Sequence, residues 1–233
     1  MIILVVVVAV FAALVGIAQL TAKDSPTADD EPAAQPSTSA TTKVPRRPDE
    51  LAVVRRDSGD PMAMGDVNAP VVLVNWTDLR CPYCAVFHRE VLPVIETEYI
   101  KTGKVRLEVN DVAFFGEQSE KAAVAALAAA DQGKYFEFTK AVYAEAPQKG
   151  HPDLPRDRLL YFAKKAGVPD LARFGKDLDR EDLLVKVQET TAAAQGMSVP
   201  SVPFFVVGTS ALAGAQPVET FRAYLDDVIK NAR

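Results

Sequence analysis

The only two cysteines among 233 residues stand three apart, at Cys81 and Cys84, between an apolar run and the head of a helix-patterned segment. That placement constrains the fold, because a buried strand must deliver the chain to a helix N-terminus at this one point. Val71-Val72-Leu73-Val74 reads as the strand. Pro82 fits a first helical turn, where its missing N–H costs nothing. At such a junction the first cysteine lies over unsatisfied N–H groups and the positive end of the helix, both of which favour a thiolate. Cys81 is therefore expected to be an exposed nucleophile. Cys84, one turn further in, is expected to be more buried and to close an intramolecular disulfide or resolve a mixed one.

Three quieter readings compete. A zinc site needs four ligands, and only His88 and His151 remain as nitrogen donors, so no metal is expected. A structural disulfide across so short a loop adds little stability, since the entropy it removes grows with loop length. Two inert core cysteines would leave the strand-to-helix placement as coincidence.

The surrounding chain divides by composition. Ile2 to Leu20 is apolar and free of charge, long enough to span a bilayer, and residues 1–20 read as a transmembrane anchor in preference to a signal peptide cut after Ala18. Residues 21–50 are rich in Ala, Thr, Ser and Pro and read as a disordered linker reaching on the order of 30 Å. Residues 51–233 are one domain by size. The net charge of -5 argues against a nucleic-acid partner.

Within the domain, Val71 to Val74, Val105 to Val109 and Phe204 to Val207 read as strands. Pro82 to Ile100 reads as a helix with Phe87, Val91, Ile95 and Tyr99 at four-residue spacing and a kink at Pro93. Glu117 to Gln132, Tyr135 to Glu145, Asp157 to Ala166 and Arg180 to Gln195 read as helices, the last with Leu184, Val187, Thr191 and Ala194 on one face. Val218 to Ile229 is an amphipathic terminal helix with Phe221, Leu225 and Val228 inward. The expected class is α/β, a β-α-β start and a β-α finish around a large helical insertion at about 117–196.

Asn68-Ala69-Pro70 before the first strand, Asp78-Leu79-Arg80-Cys81-Pro82-Tyr83-Cys84, and Val202-Pro203-Phe204-Phe205-Val206 followed by Gly214-Ala215-Gln216-Pro217 resemble the DsbA-like thiol:disulfide oxidoreductases of the thioredoxin superfamily, in their membrane-anchored actinobacterial type. The resemblance covers roughly residues 50 to 233. It implies a thioredoxin fold whose helical insertion caps the active site, Pro82 and Tyr83 as the active-site dipeptide, and a cis Val202–Pro203 bond that presents the Val202 backbone to an extended substrate. It implies no bound cofactor. One departure stands out: the acidic residue that the family carries six positions before the nucleophile is Asn75 here. In the family that acid helps move protons to and from the buried second cysteine; Asp78 is nearer in sequence and could substitute for it, but reads rather as a solvated loop carboxylate. Asn75-Trp76-Thr77 also matches a glycosylation sequon, which at the end of a core strand reads as coincidence.

The expected function is an extracytoplasmic thiol oxidase that donates the Cys81–Cys84 disulfide to exported proteins with reduced cysteines. The resemblance implies reoxidation by a quinone-linked membrane enzyme, DsbB-type or vitamin K epoxide reductase-like. A monomer is expected, attached to the cell membrane by its N-terminal anchor. A reductase, an isomerase and a non-catalytic peptide-binding module of the same fold are the alternatives.

Overall fold

The structure, a computed structural model, describes Lys43, Pro45 and residues 50–232. The expected anchor over 1–20 and nearly all of the expected linker over 21–50 lie outside the described residues. Among the described residues no helix is long and apolar enough to cross a membrane.

Five strands form one mixed sheet: β1 (Ala63–Met64), β2 (Val71–Thr77), β3 (Val105–Asp111), β4 (Phe204–Val207) and β5 (Ser210–Ala213), in the order β1-β3-β2-β4-β5. At its centre β2 and β3 run parallel over seven pairs, from Val71 opposite Val105 to Thr77 opposite Asp111. Every residue of both strands is buried, as expected of a parallel pair covered on both faces. The strands run on past their expected ends, Val74 and Val109, into polar residues. β4 and β5 complete one side as an antiparallel pair, and β1 closes the other against β3. The two-residue β1 and the short β5 carry too little apolar alternation to be read from sequence.

The helix after the cysteines, α1, spans residues 82–100. It alternates between α segments (Pro82–Val86, Leu92–Ile95) and π segments (Phe87–Val91, Glu96–Ile100). The cause of the first π segment is Pro93, whose missing N–H cannot bond to Arg89 and whose ring crowds that carbonyl. Leu92 N–H instead reaches back to the Phe87 carbonyl. The expected kink is thus taken up as a π turn. This also explains the strict four-residue stripe, which drifts by about 40° per step on a regular α-helix. Wider π turns drift the other way, and Phe87, Val91, Ile95 and Tyr99 all remain buried.

Five helices follow β3: α2 (Glu117–Ala130), α3 (Tyr135–Ala144), α4 (Arg156–Lys165), α5 (Leu171–Asp177) and α6 (Glu181–Gly196). The alanines of α2 let it pack closely against α3, α5 and α6. α5 was not expected, being one short polar-flanked turn pair; Asp170 caps it by accepting from the Arg173 N–H at 2.8 Å. On α6 the buried stripe runs through Leu183, Val187 and Ala194, with Leu183 taking the place expected for Leu184. The terminal helix α7 (Val218–Asn231) buries Phe221, Leu225 and Val228 as expected. Phe87 of α1, Phe205 of β4 and Phe221 of α7 meet with ring centroids 4.6 to 5.4 Å apart, which fixes the dithiol helix to the sheet.

A buried charge cluster ties the segment before β1 to the sheet. Glu108, fully buried on β3, accepts from the backbone N–H groups of Arg55 at 2.7 Å and Arg56 at 2.9 Å and from Arg106 Nε at 2.8 Å. Arg56, 1% exposed, also bonds Glu50 and the Val67 and Ala69 carbonyls. Removing one partner of such a cluster strands the others in low dielectric. Glu108→Ala is expected to lower the free energy of unfolding by about 3–5 kcal/mol. Glu117→Ala, which breaks an exposed pair with Lys121, is expected to change it by less than about 1 kcal/mol. Urea unfolding of both variants checks this, and equal effects would show that the Glu108 cluster does not hold the fold.

Candidate active site

β2 ends at Thr77, and three residues, Asp78 to Arg80, carry the chain to Cys81, the N-cap of α1. That loop is tight because Asp78 clamps it. Asp78 is fully buried, accepting from the Arg80 N–H at 2.8 Å, the Phe114 N–H at 2.8 Å and the Ser119 hydroxyl at 2.9 Å. The expectation of a solvated loop carboxylate is therefore wrong. An acid with three donors facing it acts as the staple between the Cys81 loop, the loop after β3 and the start of α2. Burial raises its pKa, and those donors oppose the shift.

Cys81 and Cys84 are free thiols, 2% and 0% exposed. The expected exposure of Cys81 is corrected: direct contact with solvent does not separate the two sulfurs, though Cys84 is the deeper, as expected. Their surroundings do separate them. Cys81 lines a cleft of about 670 Å³ together with Tyr83, Phe114, Phe115, His151 and Val202, whereas Cys84 faces away from it into the protein. The Cys84 N–H donates to Cys81 Sγ at 3.4 Å, the N-cap bond of α1. The Cys84 thiol and the N–H groups of Cys84 and Tyr83 hold the Cys81 pKa below its ordinary 9.0, against burial and the Asp78 charge. For Cys84 burial dominates and, with the neighbouring Cys81, pushes the thiol well above 9.0. The arrangement can therefore present one thiolate to the cleft while keeping the second sulfur protonated.

Of the other sequence-derived site residues, Pro82 occupies the first turn of α1 and Tyr83 is 66% exposed at the cleft mouth. Val202–Pro203 is cis. The Cys81 thiol donates to the Val202 carbonyl at 3.3 Å, which places this peptide directly over the nucleophile candidate. His88 is partly buried in α1, its ring 4.3 Å from that of Tyr143, and burial pushes its pKa down to about 3. His151 stacks on Phe115 at 4.1 Å and meets the Arg80 carbonyl through Nδ1 at 2.9 Å, so it forms part of the cleft wall. Asn75 is fully buried in β2, its amide donating to the Phe204 carbonyl at 3.2 Å, so the sequon lies in the core.

Sequence reasoning missed a polar layer beneath the cysteines. The Thr77 hydroxyl is near enough to Cys84 to oppose part of the rise in its thiol pKa, and it lies 2.8 Å from the Tyr143 hydroxyl. Asp111, opposite Thr77, accepts from the Tyr135 hydroxyl at 3.0 Å, and burial raises its pKa to about 7. A signal was present. Asp111 continues the inward alternation of Val105, Leu107 and Val109, where an apolar residue is the default.

The lowered Cys81 pKa carries a stability consequence with a definite sign. A depressed folded value contributes stability that is fully present above 9.0 and is lost as pH falls through the folded value. The oxidised protein has no thiolate and lacks this contribution. The reduced form is expected to melt at the higher temperature near neutral pH, with a gap of at most about 1.4 kcal/mol per unit of depression, closing as pH falls through the folded value. Paired melting curves of the two redox states check this; a more stable oxidised form at neutral pH would overturn it.

Similarity to known proteins agrees with this geometry. The thioredoxin family profile matches residues 57–227. The chain is 30% identical over 159 residues to the probable disulfide bond formation protein D of Bacillus cereus, covering 64% of this chain and 74% of that protein. It is 23% identical to disulfide bond formation protein D of Bacillus subtilis, over 74% and 78% of the two chains. Among solved structures, oxidised BdbD from Bacillus subtilis superposes with a TM-score of 0.67 at 22% identity, covering 74% of this chain and 94% of that one. Wolbachia pipientis alpha-DsbA1 superposes with a TM-score of 0.65 at 22% identity, covering 73% and 92%. With a helical insertion set into a thioredoxin sheet and a Cys-Pro-Tyr-Cys motif capping its first long helix, the chain belongs to the DsbA-like thiol:disulfide oxidoreductases of the thioredoxin superfamily.

Proposed function

We propose that the protein is an extracytoplasmic thiol oxidase that donates a Cys81–Cys84 disulfide to exported proteins bearing reduced cysteines. The observation that carries this reading is the asymmetry of the pair: Cys81 faces the cleft with its thiolate favoured, and Cys84 is sealed behind it with its thiol favoured. A substrate thiolate attacks Cys81 Sγ, the Cys81–Cys84 bond breaks, and Cys84 leaves with the electron pair and takes a proton. The substrate's second thiolate then attacks its own sulfur in the mixed disulfide and releases Cys81 as the favoured thiolate. Two electrons pass from substrate to enzyme.

The cleft suits an unfolded client. Its walls are largely apolar and aromatic, and the Val202 peptide lies at its floor beside Cys81, where an extended segment can pair with backbone. The relatives named for disulfide bond formation support the oxidising direction. The reduced enzyme then requires an electron acceptor, and a quinone-linked membrane reoxidase of DsbB or vitamin K epoxide reductase-like type fits. A chain anchored by residues 1–20 and tethered through 21–50 would work beside such a partner.

Two measurements test the proposal. Cys84→Ser is expected to accumulate mixed disulfides with client proteins while Cys81→Ser traps none; equal trapping would reverse the roles. The reduction potential of the couple, equilibrated against glutathione, is expected nearer the DsbA value of about -120 mV than the thioredoxin value of about -270 mV. A value at the thioredoxin end would make the protein a reductase.

A further inference from the structure

Breaking the disulfide leaves charge on a sulfur that is fully buried and strongly prefers its proton. No solvent reaches it from the cleft, so the proton must come from inside. Asn75 has no proton to exchange. Asp78 has both carboxylate oxygens occupied by donors that hold the loop. The phenols of Tyr135 and Tyr143 are pushed well above 10, so they can pass a proton on but not store one near neutrality.

Asp111 differs from all of these. Its Oδ1 accepts from Tyr135, while its buried Oδ2 has no hydrogen-bond partner among the described residues. In the parallel register it stands directly opposite Thr77, so the two side chains share one face of the sheet at the strand spacing of about 4.8 Å. Thr77 in turn lies 2.8 Å from the Tyr143 hydroxyl and near enough to Cys84 to act on its thiol pKa. Asp111 also lines a cavity of about 410 Å³, whose wall includes Asn110, a residue with its own buried, unpartnered Nδ2. That cavity is roomy and polar enough at this wall to carry water.

We propose that Asp111 is the proton reservoir of the dithiol: through Thr77, with Tyr143 alongside, it gives Cys84 its proton when the disulfide opens, recovers it when the disulfide closes, and exchanges with solvent through the cavity behind it. The inference rests on the exchange reaction proposed above. In the opening direction the Cys84 thiolate takes the Thr77 hydroxyl proton, and the Asp111 carboxyl replaces it over one bridging water, leaving a carboxylate. In the closing direction Cys81 thiolate attacks the disulfide of the oxidant, Cys84 gives its proton back along the same route, and its thiolate displaces the oxidant's sulfur from Cys81. Asp111 is suited to both because it titrates near 7. The groups facing it are Thr77 and Asp78 from the β2 side, Tyr135 and Tyr143 from α3, and Arg55 from the segment before β1. Across the cavity stand Asp60, Asp131, Lys186 and Glu189. Among the charges, Asp78 raises its pKa and Arg55 lowers it, both less than burial does.

The test isolates the closing step. Reduced protein is converted to the mixed disulfide of Cys81 with glutathione, and glutathione release is timed by rapid quench from about pH 5 to about pH 9. In the wild type the rate is expected to rise with pH and level off above about 7, as Asp111 becomes the standing base. Asp111→Asn is expected to lose the plateau, its rate climbing about tenfold per pH unit because only solvent base remains, and to lie about 100-fold below wild type near pH 7. Asp111→Glu is expected to keep a plateau at a shifted pH. Should the asparagine variant not fold, Thr77→Val, which leaves the carboxyl in place and cuts the route, is expected to lose the plateau as well. A wild-type profile in either Asp111→Asn or Thr77→Val overturns the proposal. Failure of the wild type to release glutathione at all would instead overturn the exchange reaction.

Discussion

The parallel pairing of β2 with β3 is the constraint on which the site depends. Seven consecutive registered pairs bring both strands to an end at the same edge, and the chain leaves that edge once into the Cys81 loop and once into the loop before α2. Asp78 can bind both loops only because the two strand ends are level. The same register sets Thr77 beside Asp111. A slip of one residue would turn each of these side chains to the other face of the sheet. The dithiol, its clamp and the polar layer beneath it therefore follow from one backbone pairing.

That layer is costly. Asn75, Thr77, Asp78 and Asp111 are all buried, and Asn75 Oδ1 and Asp111 Oδ2 lack partners among the described residues. Buried polar atoms without partners are rare in folded proteins and call for an explanation. Here three of them, Asn75 Oδ1, Asn110 Nδ2 and Asp111 Oδ2, belong to the ends of β2 and β3 beside the dithiol. The apolar frame around them is complete by contrast, with the Phe87–Phe205–Phe221 cluster and the alanine face of α2 filling the core on ordinary hydrophobic grounds. Among the described residues one further buried polar atom without a hydrogen-bond partner, Asp177 Oδ2, lies away from the dithiol on α5.

How much of this could be read from the sequence divides along the same line. Apolar periodicity revealed β2, β3, β4 and most helices, because burial of side chains at regular spacing leaves a pattern along the chain. The cysteine pair and the Val202-Pro203-Phe204-Phe205 segment carried the family resemblance, and with it the expectation that the helical insertion caps the active site. Periodicity failed for α5 and the two short edge strands, whose few residues hold no repeat to detect. Asp111 stands on an apolar alternation that signals its burial, whereas at Asp78, past the strand end, periodicity is silent. A carboxylate beside a strand end reads as solvent-facing by default, and only the tertiary arrangement shows that donors from two distant loops surround Asp78. The burial of Cys81 is of the same kind, since the peptide that covers it lies 121 residues further on.

The asparagine at 75 and the aspartate at 111 are best understood together. Positions 75 and 77 lie on one face of β2, and Thr77 is opposite Asp111, so a carboxyl at 75 would be a diagonal neighbour of the one at 111. Two acids that close in a dry interior cannot both ionise, and the pair would split into one strongly raised and one ordinary group. With an amide at 75, Asp111 titrates alone, near neutrality. The stability consequence has the opposite sign to that of Cys81. A raised carboxyl pKa contributes stability that is fully present below the unfolded value near 4 and is lost as pH climbs to about 7. The span of about three units corresponds to on the order of 4 kcal/mol. A chain selected for stability alone would place a neutral or apolar residue at 111, as it has at Val105, Leu107 and Val109 of the same strand face. The acid stands instead at the end of the strand nearest the dithiol, where the exchange reaction proposed above calls for a proton, so a destabilising residue and the proposed chemistry share one spot.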